Sequence, residues 1–140
     1  MPVIHTHVSV STTPGQREAL KAAYGKAITA VPGKSEGWLM CPFEDNMPIY
    51  FGGDDSKPAA YVEVNVFGRS VPGSAWEKLT EQIMAALGKE LGIPADRTYT
   101  PLHRHGLTGA GTVETSDEVP PFLRGLPILQ TSHLTYGKHV

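Results

Sequence analysis

The sequence predicts an α+β fold of the α/β-sandwich type: two βαβ repeats forming a four-stranded sheet with two helices on one face. Three observations predict it. Two stretches alternate polar and apolar residues with the period of a strand. Each leads into an amphipathic helical stretch and then a further strand-like run. The halves also share a faint echo, "YGKAI" before Pro32 and "LGKEL" before Pro94, as a duplicated unit would. Right-handed crossovers then place both helices on the same side of the sheet.

The first strand lies within residues 2–10, where Ile4, Thr6 and Val8 point one way and His5, His7 and Ser9 the other. A helix follows. Thr13 is its N-cap, Pro14 suits the first helical position and Gln16 completes a capping box. Leu20, Tyr24, Ala27, Ile28 and Val31 form its apolar face, and Pro32 with Gly33 ends it. "WLMCPF" reads as a short strand, and the turn-rich "FEDNMPIYFGGDD" holds another over residues 48–51. "AAYVEVNVFG" is the clearest strand, with Ala60, Val62, Val64 and Val66 on one face and Tyr61, Glu63, Asn65 and Phe67 on the other. In the second helix Ser74 and Glu77 suggest a second capping box, and Trp76, Leu79, Ile83, Leu87 and Leu91 form the apolar stripe. Gly92 and Pro94 close it, and "RTYT" begins one more strand. Residues 101–140 sustain neither period, so the boundary is set at residue 100: a domain over 1–100, then an atypical tail.

With both helices on one face, the face carrying Tyr61 and Phe67 is uncovered, which calls for an oligomer. The net charge of −2 and scattered cations argue against nucleic acid and acidic membrane surfaces as partners. Cys41 is the single cysteine, so the chain holds no internal disulfide and no thiolate zinc site. No apolar run reaches membrane-spanning length and no signal segment opens the sequence. These features point to a soluble cytoplasmic protein.

Several residues invite chemistry. His5 and His7 share one strand face, and His103 and His105 could add ligands, but a structural role is favoured and no metal is expected. "GLTGAGT" lacks the Lys-Ser/Thr and the helix of a phosphate loop. Cys41 reads as a small buried hydrophobe. Gly52 and Gly53 read as a turn. Pro2 and Lys34 carry more. Removal of Met1 would leave Pro2 with a secondary amine. In a βαβ unit the second strand runs parallel to the first, so its start shares a sheet edge with Pro2. Lys34 in "PGKSEGW" lies there. A neighbouring cation and partial burial lower an α-amine from about 8 toward neutrality, where it serves as a general base.

These residues resemble those of the macrophage migration inhibitory factor-like tautomerases of the tautomerase superfamily. The resemblance spans residue 2 to about residue 100. It rests on Pro2, "PGKSEGWLM", "FGG" followed by Pro58, "NVFG" and "ADRTY". It implies a homotrimer with sites between subunits. It implies keto–enol tautomerisation of phenylpyruvate-like 2-oxo acids without metal or cofactor. By position, Pro2 is the base, Lys34 holds the substrate carboxylate and the Phe67 backbone N–H assists. Tyr99 enters from the neighbouring subunit, and Trp38 forms pocket wall. The alternative is a cytokine-like binding protein of the same fold, exported without a signal peptide, that meets a protein receptor and has incidental or no catalysis. A third reading is a folded but inactive product.

Two departures stand out. Where some members carry a CxxC pair, this chain has Ala59 and Val62, so thiol–disulfide activity is not expected. The family's aromatic "WGWNG…F"-like ending is also missing. Read from the third base of the Leu107 codon, however, "LTGAGTVETSD" can spell Asp, Trp, Gly, Trp, Asn, Gly, Gly, Asn, Phe and a stop under suitable wobble bases. The expectation is that the tail is read out of frame and is poorly ordered.

Overall fold

Residues Val3–Val8 form β1, Pro14–Ala27 α1, Phe43–Glu44 β2 and Ala60–Phe67 β3. Gly73–Leu91 forms α2, and Thr98–Tyr99, Leu102–His105 and Val113–Thr115 form β4, β5 and β6. The computed structural model describes residues 2–68, 70–106 and 113–115. β1 and β3 pair antiparallel at the centre, from Val3 opposite Asn65 to Val8 opposite Ala60. β2 lies parallel to β1, and β4 and β5 lie parallel to β3. Each half is therefore a βαβ unit, as its alternation and helix period dictate. The sheet has six strands in the order β2-β1-β3-β5-β6, with β4 also on β3. It is wider than the expected four because β5 and β6 extend it beyond residue 100.

One core explains why both helices share a face. Ile4 and Val8 of β1 and Ala60, Val62, Val64 and Val66 of β3 pack with Leu20 and Tyr24 of α1 and Leu79, Ile83 and Leu87 of α2. The alternating residues His5, His7, Tyr61, Glu63 and Asn65 occupy the opposite face. Within the core, the hydroxyls of Thr6 and Tyr24 satisfy each other at 2.8 Å. No helix among the described residues is long and apolar enough to cross a membrane.

The α1 capping box is present: Gln16 N–H donates to Thr13 Oγ1 and Thr13 N–H to Gln16 Oε1. The second expected box is not. α2 starts at Gly73 with Pro72 as its cap residue, and the Pro72 carbonyl takes the N–H groups of Ala75 and Trp76. Ser74 thus falls inside the first turn, too late to cap. Gly92 closes α2 at φ 68°, in the left-handed region open to glycine.

Residues 48–51 do not form a strand. Phe51 instead pairs with Asp54 across a turn whose glycines, Gly52 and Gly53, take φ of 60° and 80°. The Phe51 carbonyl accepts from both the Asp54 N–H and Arg97, each at 3.2 Å. "WLMCPF" is extended only in part: Trp38 lies in a 3-10 turn, Met40 bridges Val3, and the strand proper is Phe43–Glu44. Cys41 is half-buried against the core rather than within it, and burial pushes its thiol up to about 11. Past residue 100, β5 is regular. Leu102 pairs with Val64 and is buried in the core, so the irregular segment does not begin at 101. Four residues are too few to show a period of two. The expectation of a poorly ordered tail does not hold for Leu102–His105 and Val113–Thr115, which pair as β5 and β6; its remainder, residues 107–112 and 116–140, lies outside the described residues.

Candidate active site

Pro2 precedes β1 and is buried. Its carbonyl accepts the Met40 N–H at 3.0 Å, which fastens the chain start to the segment that runs toward β2. The βαβ connection brings Gly33, Lys34, Ser35 and Trp38 to the same edge, where with Pro2 they line a cleft of about 230 Å³. Gly33 turns the chain there at φ 78°, and the Lys34 N–H donates to Val31 O at 3.1 Å. Trp38 is 70% exposed and forms an open wall rather than core.

Lys34 reaches across the cleft. Its Nζ donates to the Phe67 carbonyl at the end of β3. The direction of the Phe67 N–H follows from the ladder. Val64 N–H donates to Pro101 O on the β5 side at 3.0 Å. Phe67, three positions on, directs its N–H to the other side, toward β1. The pairing of β1 ends at Val3 opposite Asn65, so that amide lies past the last pair, at the Pro2 end. The Pro2 nitrogen, a cation and a backbone donor therefore converge on one sheet edge. Such a set can hold a carboxylate and, once removal of Met1 frees the Pro2 amine, exchange a proton with a nearby carbon of the bound acid.

Tyr99 is not in this cleft. It pairs with Tyr61, six residues before Phe67 on β3, which puts it roughly 20 Å along the strand. Its ring lies 5.8 Å from that of Tyr61, and burial raises its phenol above the ordinary value. Of two further residues near the cleft, sequence reasoning missed Arg104 and weighed His105 only as a possible metal ligand. Arg104 Nη1 donates to Gly68 O at 2.8 Å, and the His105 ring stacks on Phe67 at 4.7 Å. Both lie in the stretch read as irregular, and only their alternation with Leu102 could have revealed them.

Neither a protein-family model nor a curated protein sequence matches the chain. Solved structures do. A Leishmania major structure, MIF2, is similar at 38% identity and a TM-score of 0.70, over 83% of this chain and 97% of its own. The macrophage migration inhibitory factor homologue of Prochlorococcus marinus is similar at 29% identity and 0.64, over 71% of this chain and 85% of its own. The Toxoplasma gondii factor shares 24% identity and the fold, with a TM-score of 0.65. The chain belongs to the macrophage migration inhibitory factor-like family.

Proposed function

We propose that this protein is a cofactor-independent keto–enol tautomerase of phenylpyruvate-like 2-oxo acids, with the Pro2 amine as general base. The observation that carries the reading is the convergence of Pro2, Lys34 and Trp38 on one cleft at the Phe67 end of β3. Lys34 leaves the neutral Phe67 carbonyl for the stronger carboxylate partner, and the Phe67 N–H adds a second donor. The substrate methylene then faces Pro2. The amine takes a methylene proton, the C–H pair becomes the C=C bond, and the carbonyl π pair moves to oxygen. Protonation of that oxygen gives the enol, and the reverse path restores the ketone.

The trimer belongs to the same proposal. Tyr99 is too far from Pro2 in its own chain, so a tyrosine at the site comes from another copy. The uncovered sheet face supplies the surface on which copies meet.

The test is phenylpyruvate tautomerisation by chain whose intact mass shows Met1 removed. A general base contributes about 10²–10⁴-fold. Pro2→Gly keeps a primary amine and is expected to retain part of the rate. One residue added before Pro2 converts the amine to an amide and is expected to abolish nearly all of it. An extended chain as fast as the mature one overturns the assignment.

A further inference from the structure

The open face of the sheet carries a second cluster, separate from the Pro2 cleft. His5 and His7 stand side by side on β1, their rings stacked with centroids 4.0 Å apart. Glu44 of β2 lies in register with His7. One carboxylate oxygen, Glu44 Oε2, is 2.9 Å from His5 Nε2 and 2.8 Å from His7 Nδ1. The candidate donor atoms of the three residues all lie within 4.8 Å of one another. The other nitrogen of His7, Nε2, is 3.3 Å from Glu63 Oε1 of β3.

His7 is the informative member. It is 8% exposed, yet neither ring nitrogen makes a hydrogen bond of acceptable geometry. Both carboxylate oxygens are near it but off line. A buried imidazole in that state costs free energy unless something else uses its lone pair.

We propose that His5, His7 and Glu44 form a binding site for a divalent cation of the zinc class, which takes imidazole and carboxylate together, unlike the all-oxygen sites of Mg²⁺ and Ca²⁺. His5 Nε2, His7 Nδ1 and one Glu44 oxygen are the ligands, with a fourth position open. Glu63 then accepts the His7 Nε2–H and fixes the ring tautomer, the usual carboxylate–histidine–metal relay. Strand geometry makes the site. Residues i and i+2 of β1 share a face, and the parallel neighbour β2 brings Glu44 beside them. All ligands come from one chain, so the site does not depend on the trimer. It replaces the structural role expected from the sequence, where Glu44 and Glu63 could not be placed beside the histidines.

The experiment is calorimetric titration of chelator-treated full-length protein with Zn²⁺, with visible d–d absorption of added Co²⁺ as a second reading. One ion per chain is expected. His5→Ala and Glu44→Gln are each expected to weaken binding at least tenfold, and Glu63→Gln roughly 10- to 100-fold. Unchanged far-UV circular dichroism and phenylpyruvate turnover would show that these variants fold. The proposal is overturned if the wild type takes up no Zn²⁺ at one per chain. It is also overturned if folded His5→Ala and Glu44→Gln bind Zn²⁺ as the wild type does, which would assign the ion to other histidines.

Discussion

Lys34 shows how a single side chain is prepared for a charged ligand. Its Nζ already bridges the cleft to the Phe67 carbonyl, a neutral acceptor that a carboxylate outcompetes. Lys34→Ala is therefore expected to raise KM for phenylpyruvate roughly 10- to 100-fold, the worth of a hydrogen bond to a charged group, with little loss of stability. The same substitution removes a positive charge beside the Pro2 amine. Its protonated form becomes less costly, so the acid limb of the pH profile of kcat/KM moves to higher pH. An unmoved profile would show that the two groups do not share a site. Pro2 and Lys34 were legible together because parallel strands of a βαβ unit begin on one edge. Phe67 and Tyr99 came only through family resemblance, since nothing local in "NVFG" or "RTYT" signals a ligand. Arg104 stayed hidden, and His105 was weighed only as a possible metal ligand, because β5 is four residues long.

Elements with complete local signals were read correctly, and those held by distant groups were not. α1 carries its own start in Thr13, Pro14 and Gln16 and its own stripe, so it needs no partner to be recognised. The loop after residue 50 is the opposite case. Arg97, only 8% exposed, donates to four of its carbonyls: Phe51 at 3.2 Å, Asp54 at 3.0 Å, Lys57 at 2.7 Å and Pro58 at 3.2 Å. Its guanidinium also lies 5.4 Å over the Phe51 ring. The loop's shape is thus fixed by a residue about forty positions away, which no short-range pattern reveals. Arg97→Ala would remove all four bonds, leaving the Phe51 and Asp54 carbonyls only each other's N–H, and is expected to cost on the order of 3 kcal/mol. Arg97→Lys would rescue little, because an ammonium cannot present the planar fork. Urea unfolding measures both, and a loss below about 1 kcal/mol for the alanine variant would place the loop's support elsewhere.

At the scale of the whole molecule, the two-layer fold was legible and the width of its sheet was not. The central β1–β3 pair announces itself by alternation, whereas β5 and β6 are too short to do so. The out-of-frame reading of the tail makes a prediction that needs no protein: the coding DNA across Leu107 to Asp117 will carry the wobble bases that spell the shifted aromatic ending. Any other bases there end the idea. The proposed trimer makes a sharper one. A sheet with helices on one side leaves Tyr61, Phe67 and Tyr99 on or beside a face that a neighbour can bury. Sedimentation at micromolar concentration is expected to give three copies, not one. Tyr99 then supplies the functional test, because its phenol, protonated at neutral pH like any ordinary tyrosine and pushed further from ionisation by burial, is a donor out of reach of its own Pro2. Subunits carrying Pro2→Gly and subunits carrying Tyr99→Ala are each expected to be impaired alone. Mixed by unfolding and refolding at equal amounts, they are expected to recover about a quarter of wild-type turnover, because sites that join Pro2 of one copy to Tyr99 of the next regain both intact groups. If both groups acted within one chain, mixing would restore nothing, and the subunit boundary would not be the place where this chemistry occurs.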